Sequence, residues 1–231
     1  MKNHIIGLTG FAGAGKDTVA DLLVAHFYFR KLSFADALRS EVSQAFGIEV
    51  VHLEHPSTKN EPIAALAMRK APRPFLAAVA LSVGNEGRSA SGFLADGWLD
   101  KPRSPRRIQQ WWGTEYRRAV DPHYWTRVAL DRITQMGRNG TGRFVLTDVR
   151  FANEADMVHS AGGAVWKISR PGLDASSTPE GAHSSVTDGE KFGPSVVINN
   201  CHTLQHLREL VLGEFLMLET GIDGATVTVT V

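Results

Sequence analysis

The sequence predicts an α/β fold of three layers, a parallel central sheet covered by helices on both faces. Three observations predict it. Short apolar runs rich in β-formers (HIIGLT, FVLTDV, AVWKISR and SVVINN) alternate with helical patterns, and strands separated by helices pair in parallel and need cover on both sides. The first run ends in glycines that open an amphipathic helix. The chain has 231 residues, 43% of them apolar, which is enough for one α/β domain carrying an insertion.

His4 to Thr9 reads as a buried strand. From Asp17 onward, Val19, Leu22, Leu23 and Phe27 recur at helical spacing. FADALRSEVSQAF, residues 34–46, is a second helix stopped by Gly47. HPSTKNEP and KAPRP read as loops, FLAAVALSV as a helix and GNEGRSASG as a mobile stretch. RRIQQWWGTEYRR and YWTRVALDRITQM are helical patterns, and RNGTGR is the turn before the FVLTDV strand. NEADMVHSAG is a helix ended by Gly162 and Gly163, and AVWKISR is the third strand. Residues 171–194 are rich in Pro, Gly, Ser and Asp and read as a long loop. SVVINN is the fourth strand and TLQHLRELVLGEFLML the last helix. The alternating GATVTVTV at the end suits an edge strand or a tail that pairs between chains in a homodimer. There is no internal repeat.

Bulk properties exclude several classes. A net charge of +1 is low for a protein that lives on nucleic acid. Cys201 is the one cysteine, so no disulfide forms within the chain, and a reducing cytoplasm is the expected compartment. The opening MKNHIIGLTG lacks the apolar region of a signal peptide. No apolar run reaches the roughly 18 residues of a membrane span.

GFAGAGKDT, residues 10–18, follows a strand and opens a helix, the setting in which a glycine-rich loop binds phosphate. Gly10, Gly13 and Gly15 permit backbone conformations and close approach that a Cβ would forbid. The N–H groups of the loop and of the helix N-terminus then point at an anion. Lys16 supplies a mobile positive charge for β- and γ-phosphates. A dinucleotide fingerprint does not fit, because Thr18 stands where the third glycine is needed. Asp17 occupies the place of the usual Ser or Thr, one position before the hydroxyl of Thr18. A carboxylate there suits the helix dipole and is a hard ligand for Mg²⁺, directly or through water.

Asp148 ends the FVLTDV strand, where ligands sit in open α/β sheets; it is placed either beside the loop, organising the metal's water shell, or as a helix cap. Arg150 follows, as a group that neutralises a migrating phosphoryl or as a surface arginine. In PRRIQQWWGTEYRRAVDPHYW, α-helical spacing sets Arg106 with Gln110 on one face and Arg107, Trp111 and Thr114 on another. An arginine fork there fits a monophosphate and an aromatic ring a base. At least two of Trp111, Trp112 and Trp125 are expected in the core. His202 and His206 lie one helical turn apart beside Cys201, without a full zinc set. No nucleophile elbow or Ser/His/Asp arrangement is present.

With GFAGAGKDT, SFADALR at 33–39, SPRRIQQWWGTEYRR at 104–118, DPHYW, LTDVRFANEADMVHSAGGAVWKISRPG at 146–172 and VVINNCHTLQHL, the chain resembles the bacteriophage deoxynucleoside monophosphate kinases, of the P-loop nucleoside-monophosphate-kinase-like fold. Residues 48–103 and the tail fall outside the resemblance. It implies a P-loop core over about 1–47 and 120–220, a helical acceptor-binding insertion over about 48–119, and a lid over about 171–194. The implied reaction moves the ATP γ-phosphoryl group to a deoxynucleoside monophosphate with Mg²⁺, in the cytoplasm (the host's, if a phage encodes the chain), as DNA precursor supply. No membrane and no stable nucleic-acid partner is implied.

Carried over by position, the loop Gly10, Ala12, Gly13, Ala14, Gly15, Lys16, Asp17 and Thr18 would hold ATP, with Arg150 on the phosphates and Asn200 near the adenine. Lys16, Asp17, Asp148 and Arg150 would be catalytic, and Asp17 and Asp148 would hold the metal. Asp36, Arg39, Arg106, Gln110, Glu115, Arg118 and Trp125 would hold the acceptor. Asn153 and Glu154 complete the DVRFxNE match. One departure stands out: after His183, Ser184 and Ser185 the chain has Val186 where the family tends to show Glu. Two other readings remain at this point: a P-loop kinase of another phosphorylated acceptor, such as phosphomevalonate or dephospho-coenzyme A, and a DNA-linked regulatory ATPase.

Overall fold

A computed structural model describes residues 4–55, 57–84, 97–138, 140, 142–173 and 193–220. Most of the expected lid, His183 within it, nearly all of GNEGRSASG and the GATVTVTV tail lie outside the described residues. The helices are α1 (Lys16–Phe27), α2 (Phe34–Phe46), α3 (Val51–Glu54), α4 (Arg73–Gly84), α5 (Pro105–Gln110), α6 (Tyr124–Arg138), α7 (Ala152–Ser160) and α8 (Leu204–Thr220). A π-helical segment, Trp111–Arg118, continues α5. The chain divides into two compact units, one of residues 1–33 and 130–231, the other of residues 34–129.

The first unit is an α/β sandwich around five strands: β1 (His4–Thr9), β2 (Arg30–Leu32), β3 (Arg143–Leu146), β4 (Ala164–Ser169) and β5 (Val196–Asn199). All pairings are parallel, in the order β2-β3-β1-β4-β5. Four of these strands were legible in the sequence. β2 was not, because its three residues carry two exposed cations and no apolar pattern. Such a charged edge discourages pairing with a foreign strand.

Alternation along β1 builds both layers. Ile6 and Leu8 face one side, where Val145, Trp166, Ile168 and Ile198 join Val19, Ala20 and Leu23 of α1 and Leu207, Val211 and Phe215 of α8 in one buried cluster. Each large apolar side chain fully buried there stabilises the fold by about 1.5–3 kcal/mol. α7 packs on the other face against β1 and β4, with Val158 close to Gly7. Gly7 in the middle of β1 makes room for the turn before α7 and for α7 itself, since a Cβ would meet Val149 at 2.8 Å and Val158 at 3.1 Å.

The second unit is helical. Phe75 is fully buried and packs tilted against Trp112 at 4.7 Å, with Phe46 and Tyr116 edge-on to it. Trp98 and Trp111 pack at 6.0 Å, and Arg103 lies 4.9 Å over Trp98.

Candidate active site

Every strand of the sheet delivers a polar residue at its carboxyl end. Lys16 follows β1, Ser33 follows β2, Asp148 and Arg150 follow β3, Arg170 follows β4 and Asn200 follows β5. β1 sends its chain past β3 to β2, whereas β3 sends its chain past β1 to β4. The order therefore reverses between β1 and β3, and the crevice beyond these two strand ends is where open α/β sheets hold ligands.

The loop after β1 has left-handed backbone at Gly10 (φ 131°), Gly13 (φ 81°) and Gly15 (φ 106°). At Gly10 a Cβ would stand 2.2 Å from the carbonyl oxygen of Ile168, so side chains are excluded twice over. Gly15 is the N-cap of α1, and its carbonyl accepts from the Val19 N–H at 3.0 Å. Gly15 has no side chain with which to cap this helix, so among the described residues its first N–H groups stand open to an external acceptor. Ala14 is buried; Ala12 and Gly13 are exposed.

Lys16 folds back over the loop. Its Nζ donates to Gly10 O at 2.6 Å and to Phe11 O at 2.8 Å. Burial and the nearby Arg150 guanidinium lower its pKa to about 8, against the opposing pull of Asp17 and Asp148. A lysine so weakly held in its charged form gains most when a polyanion arrives beside it.

Asp148 lies two residues beyond the end of β3 and accepts from the Ser33 hydroxyl at 2.7 Å. The turn that carries Arg150 is fixed by Glu154. That carboxylate is 2% exposed and accepts from the N–H of Arg150 at 2.8 Å and of Phe151 at 3.2 Å. The side chain of Arg150 is left exposed to solvent.

Asp17 is exposed and its Oδ1 lies 3.1 Å from Lys31 Nζ, which also bonds Asp21 at 3.0 Å. Burial pulls against the charged form of Lys31, and the two carboxylates more than offset this, raising its pKa. Such exposed pairs are worth about 0–1 kcal/mol. Asn200 does not point away from the sheet: its Nδ2 donates to Ala14 O at 2.9 Å. Arg170 Nη1 reaches Gly13 O at 3.5 Å. Thr18 is half-buried in the first turn of α1.

In the second unit, α2 carries Asp36 and Arg39, paired at 3.2 Å, with Glu54 of α3 3.8 Å from the same Arg39 nitrogen. Arg39 Nε is buried and has no hydrogen-bond partner among the described residues. Arg106 and Gln110 are half-buried on α5, and Glu115 and Arg118 half-buried on the π segment. The face expected through Arg107, Trp111 and Thr114 does not continue. From Trp111 the winding is π, Ala119 N–H bonding Thr114 O five residues back, and Thr114 turns out to solvent while Trp111 is buried. Trp125 is 3% exposed and its indole donates to Gly113 O at 3.3 Å. Of Trp111, Trp112 and Trp125, at least two of which were expected in the core, all three are buried.

Two candidates at the strand ends, Ser33 and Arg170, escaped the sequence, as did one structural tie, Glu41. Glu41 accepts from Trp112 Nε1 at 2.7 Å, Arg117 Nε at 2.8 Å and the Tyr124 hydroxyl. Burial and this carboxylate raise the pKa of Tyr124. Glu41 thereby ties α2, the π segment and α6 together, with Arg117 stacked 4.6 Å over Tyr116. Its place in an ordinary amphipathic helix carried no signal of this. Among the described residues no group of three or more His, Cys, Asp or Glu side chains could hold a metal by itself, and no helix is long and apolar enough to cross a membrane.

Comparison with known proteins bears on this geometry. The chain is 26% identical over 183 residues to a putative deoxynucleotide monophosphate kinase of Acanthamoeba polyphaga mimivirus, covering 75% of this chain and 78% of that one. It is 24% identical over 241 aligned positions to the deoxynucleotide monophosphate kinase of Enterobacteria phage T4, covering 88% and 95%. The chain is similar to deoxynucleotide monophosphate kinases. No protein-family model matches it. Among solved structures, a sugar kinase from Janibacter aligns with a TM-score of 0.47 at 11% identity over 95% of this chain and 98% of that one. A dephospho-CoA kinase from Campylobacter jejuni aligns at 0.45 and 14% over 96% and 99%. Loop geometry and kinship to the two viral proteins together support a kinase, that is, a phosphotransferase.

Proposed function

We propose that the chain transfers the γ-phosphoryl group of ATP to a deoxynucleoside monophosphate. A phosphate oxygen of the acceptor attacks the γ-phosphorus, the bond to the β,γ-bridging oxygen breaks, and ADP leaves as a deoxynucleoside diphosphate forms. One observation carries the reading: a glycine cradle at an uncapped helix N-terminus, closed by a desolvated Lys16 beside Arg150 and Asp148. Phosphoryl transfer asks a protein mainly for positioning and for charge to match the migrating group. Lys16 and Arg150 supply that charge, and the loop amides hold the donor phosphates.

The donor set fits Mg²⁺, a hard cation that takes oxygen ligands and keeps water. Asp148, oriented by Ser33, and Asp17, once released from Lys31, would hold it. When bound, the ion neutralises charge on the donor phosphates. On the acceptor side, Asp36, Arg39, Arg106, Gln110, Glu115 and Arg118 form the proposed set. The buried Nε of Arg39 supports this, since a guanidinium donor left inside a unit suits an oxyanion. Trp125 is left out, its ring being packed away. Residues 171–194 are retained as the proposed lid and 48–119 as the proposed acceptor region. Supply of DNA precursors is the physiological reading that the two viral relatives favour.

The test is ADP release measured over all four deoxynucleoside monophosphates, their ribo-forms, phosphomevalonate and dephospho-coenzyme A, with ATP and Mg²⁺. Turnover on one or more deoxynucleotides, lost by about two orders of magnitude in Lys16→Ala, is expected. Turnover confined to another acceptor, or hydrolysis that needs DNA and no small acceptor, would refute the assignment. Arg118→Ala is expected to lose acceptor affinity while calorimetry still finds ATP binding.

A further inference from the structure

We infer that Asn200 is a positioning residue that braces the phosphate loop, and that it does not read the nucleobase of the donor. The inference rests on the triphosphate site proposed above and assigns a task within it. Asn200 stands at the end of β5, where its own N–H bonds Ser169 O at 2.7 Å, one residue beyond the Ser169–Asn199 register pair. The backbone that carries the side chain is therefore anchored to the sheet. From there Nδ2 donates to Ala14 O at 2.9 Å. A carbonyl oxygen can only accept, so the amide nitrogen must be the atom that faces it, whichever way an asparagine could otherwise be drawn.

The bond joins residues 186 apart in sequence and lands in the middle of the cradle. Ala14 is 1% exposed, and its carbonyl belongs to the peptide whose N–H is that of Gly15, the N-cap of α1. Holding that carbonyl inward fixes the plane of the peptide and so aims the Gly15 N–H. The amide also lies against Gly15 so closely that a Cβ there would stand 2.6 Å from Nδ2. Glycine at 15 thus answers two demands, left-handed backbone and room for the brace. An amide spent on the loop's own carbonyl is poorly placed to discriminate between purines.

The measurement is calorimetry of inorganic tripolyphosphate, ATP and GTP, each with Mg²⁺, on the full chain and on Asn200→Ala. Tripolyphosphate has no base. A brace predicts that Asn200→Ala weakens all three by the same factor, roughly three- to tenfold, the worth of one internal hydrogen bond. The ATP-to-GTP ratio stays as it was. Asn200→Asp, which sets an acceptor against the Ala14 carbonyl, is expected to lose more, again equally for all three. Weakening confined to ATP, or a changed ATP-to-GTP ratio with tripolyphosphate unaffected, would overturn the brace and return Asn200 to the base. Unchanged affinities for all three would overturn it too. Failure of the unsubstituted chain to bind any of the three is a different result: it would remove the triphosphate site itself, and the brace with it.

Discussion

The Ser33 hydroxyl donates to the Asp148 carboxylate over 2.7 Å, joining the ends of β2 and β3 across 115 residues of sequence. The bond fixes one oxygen of the carboxylate that we propose as a metal ligand. Ser33→Ala should therefore lower kcat by about one to two orders of magnitude, the worth of a hydrogen bond to a charged group, with little change in the KM of either nucleotide. Ser33→Thr, which keeps the hydroxyl, should restore most of the rate. Steady-state kinetics over a Mg²⁺ titration will check this; a wild-type Mg²⁺ dependence in Ser33→Ala would contradict it.

Lys16 gives a pH signature. With its pKa lowered to about 8 by burial and Arg150, it is charged below that value and loses its proton above it. A bound triphosphate stabilises the ammonium and raises the pKa. Below about pH 8 the affinity for ATP is then flat in this group. Above it, binding must take up a proton, and affinity falls by up to about tenfold per pH unit until the pKa of the complex is reached. Calorimetry in two buffers of different ionisation enthalpy should register that uptake near pH 9, roughly. Lys16→Met should abolish it.

Glu41 predicts a stability effect without a catalytic one of its own. Its carboxylate satisfies Trp112, Arg117 and Tyr124 at a site where the Glu41 and Arg117 side chains are only 23% and 28% exposed. Glu41→Ala should destabilise the chain by about 2–3 kcal/mol, mostly through donors left without an acceptor. Glu41→Gln, which keeps one acceptor, should cost less. Urea unfolding can be followed by the fluorescence of the five tryptophans, Trp112 among them, and equal midpoints for Glu41→Ala and the parent would sink the idea.

Tyr28 offers the opposite sign. It closes α1 in left-handed backbone, φ 59°, where its N–H caps Leu23 and Val24, and its side chain is 86% exposed. A tyrosine bears the steric cost of that conformation and gains little contact in return. Tyr28→Gly should raise stability by about 0.5–1 kcal/mol, the strain relieved exceeding the added freedom of the unfolded chain. Thermal unfolding should show a higher Tm with kinetics unaltered.

How much was legible follows the range of the forces involved. His4–Thr9 and Phe34–Phe46 are found over the residues that pattern and Gly47 predicted, because strand alternation, helical spacing and a stop signal are local. The loop at 10–18 was legible for the same reason: left-handed positions demand glycine wherever the rest of the fold stands. Thr114 was misplaced because a π turn changes the spacing on which a helical face is drawn. β2 was invisible because three residues with two exposed cations carry no periodicity.

The sequence by itself determined the layered α/β class, the phosphate cradle and the lysine within it, since each depends on neighbours a few residues away. Only the tertiary structure decided what supports them. Ser33 under Asp148, Asn200 under Ala14 and Glu41 under three donors pair a side chain with distant backbone or side chain, and Glu154 under Arg150 fixes a turn from within its own segment. All but the Glu154 contact span many tens of residues: those of Ser33 and Asn200 exist only once parallel strands have brought their ends together, and those of Glu41 only once the helices of the second unit have packed; no local pattern can encode a partner that packing alone selects.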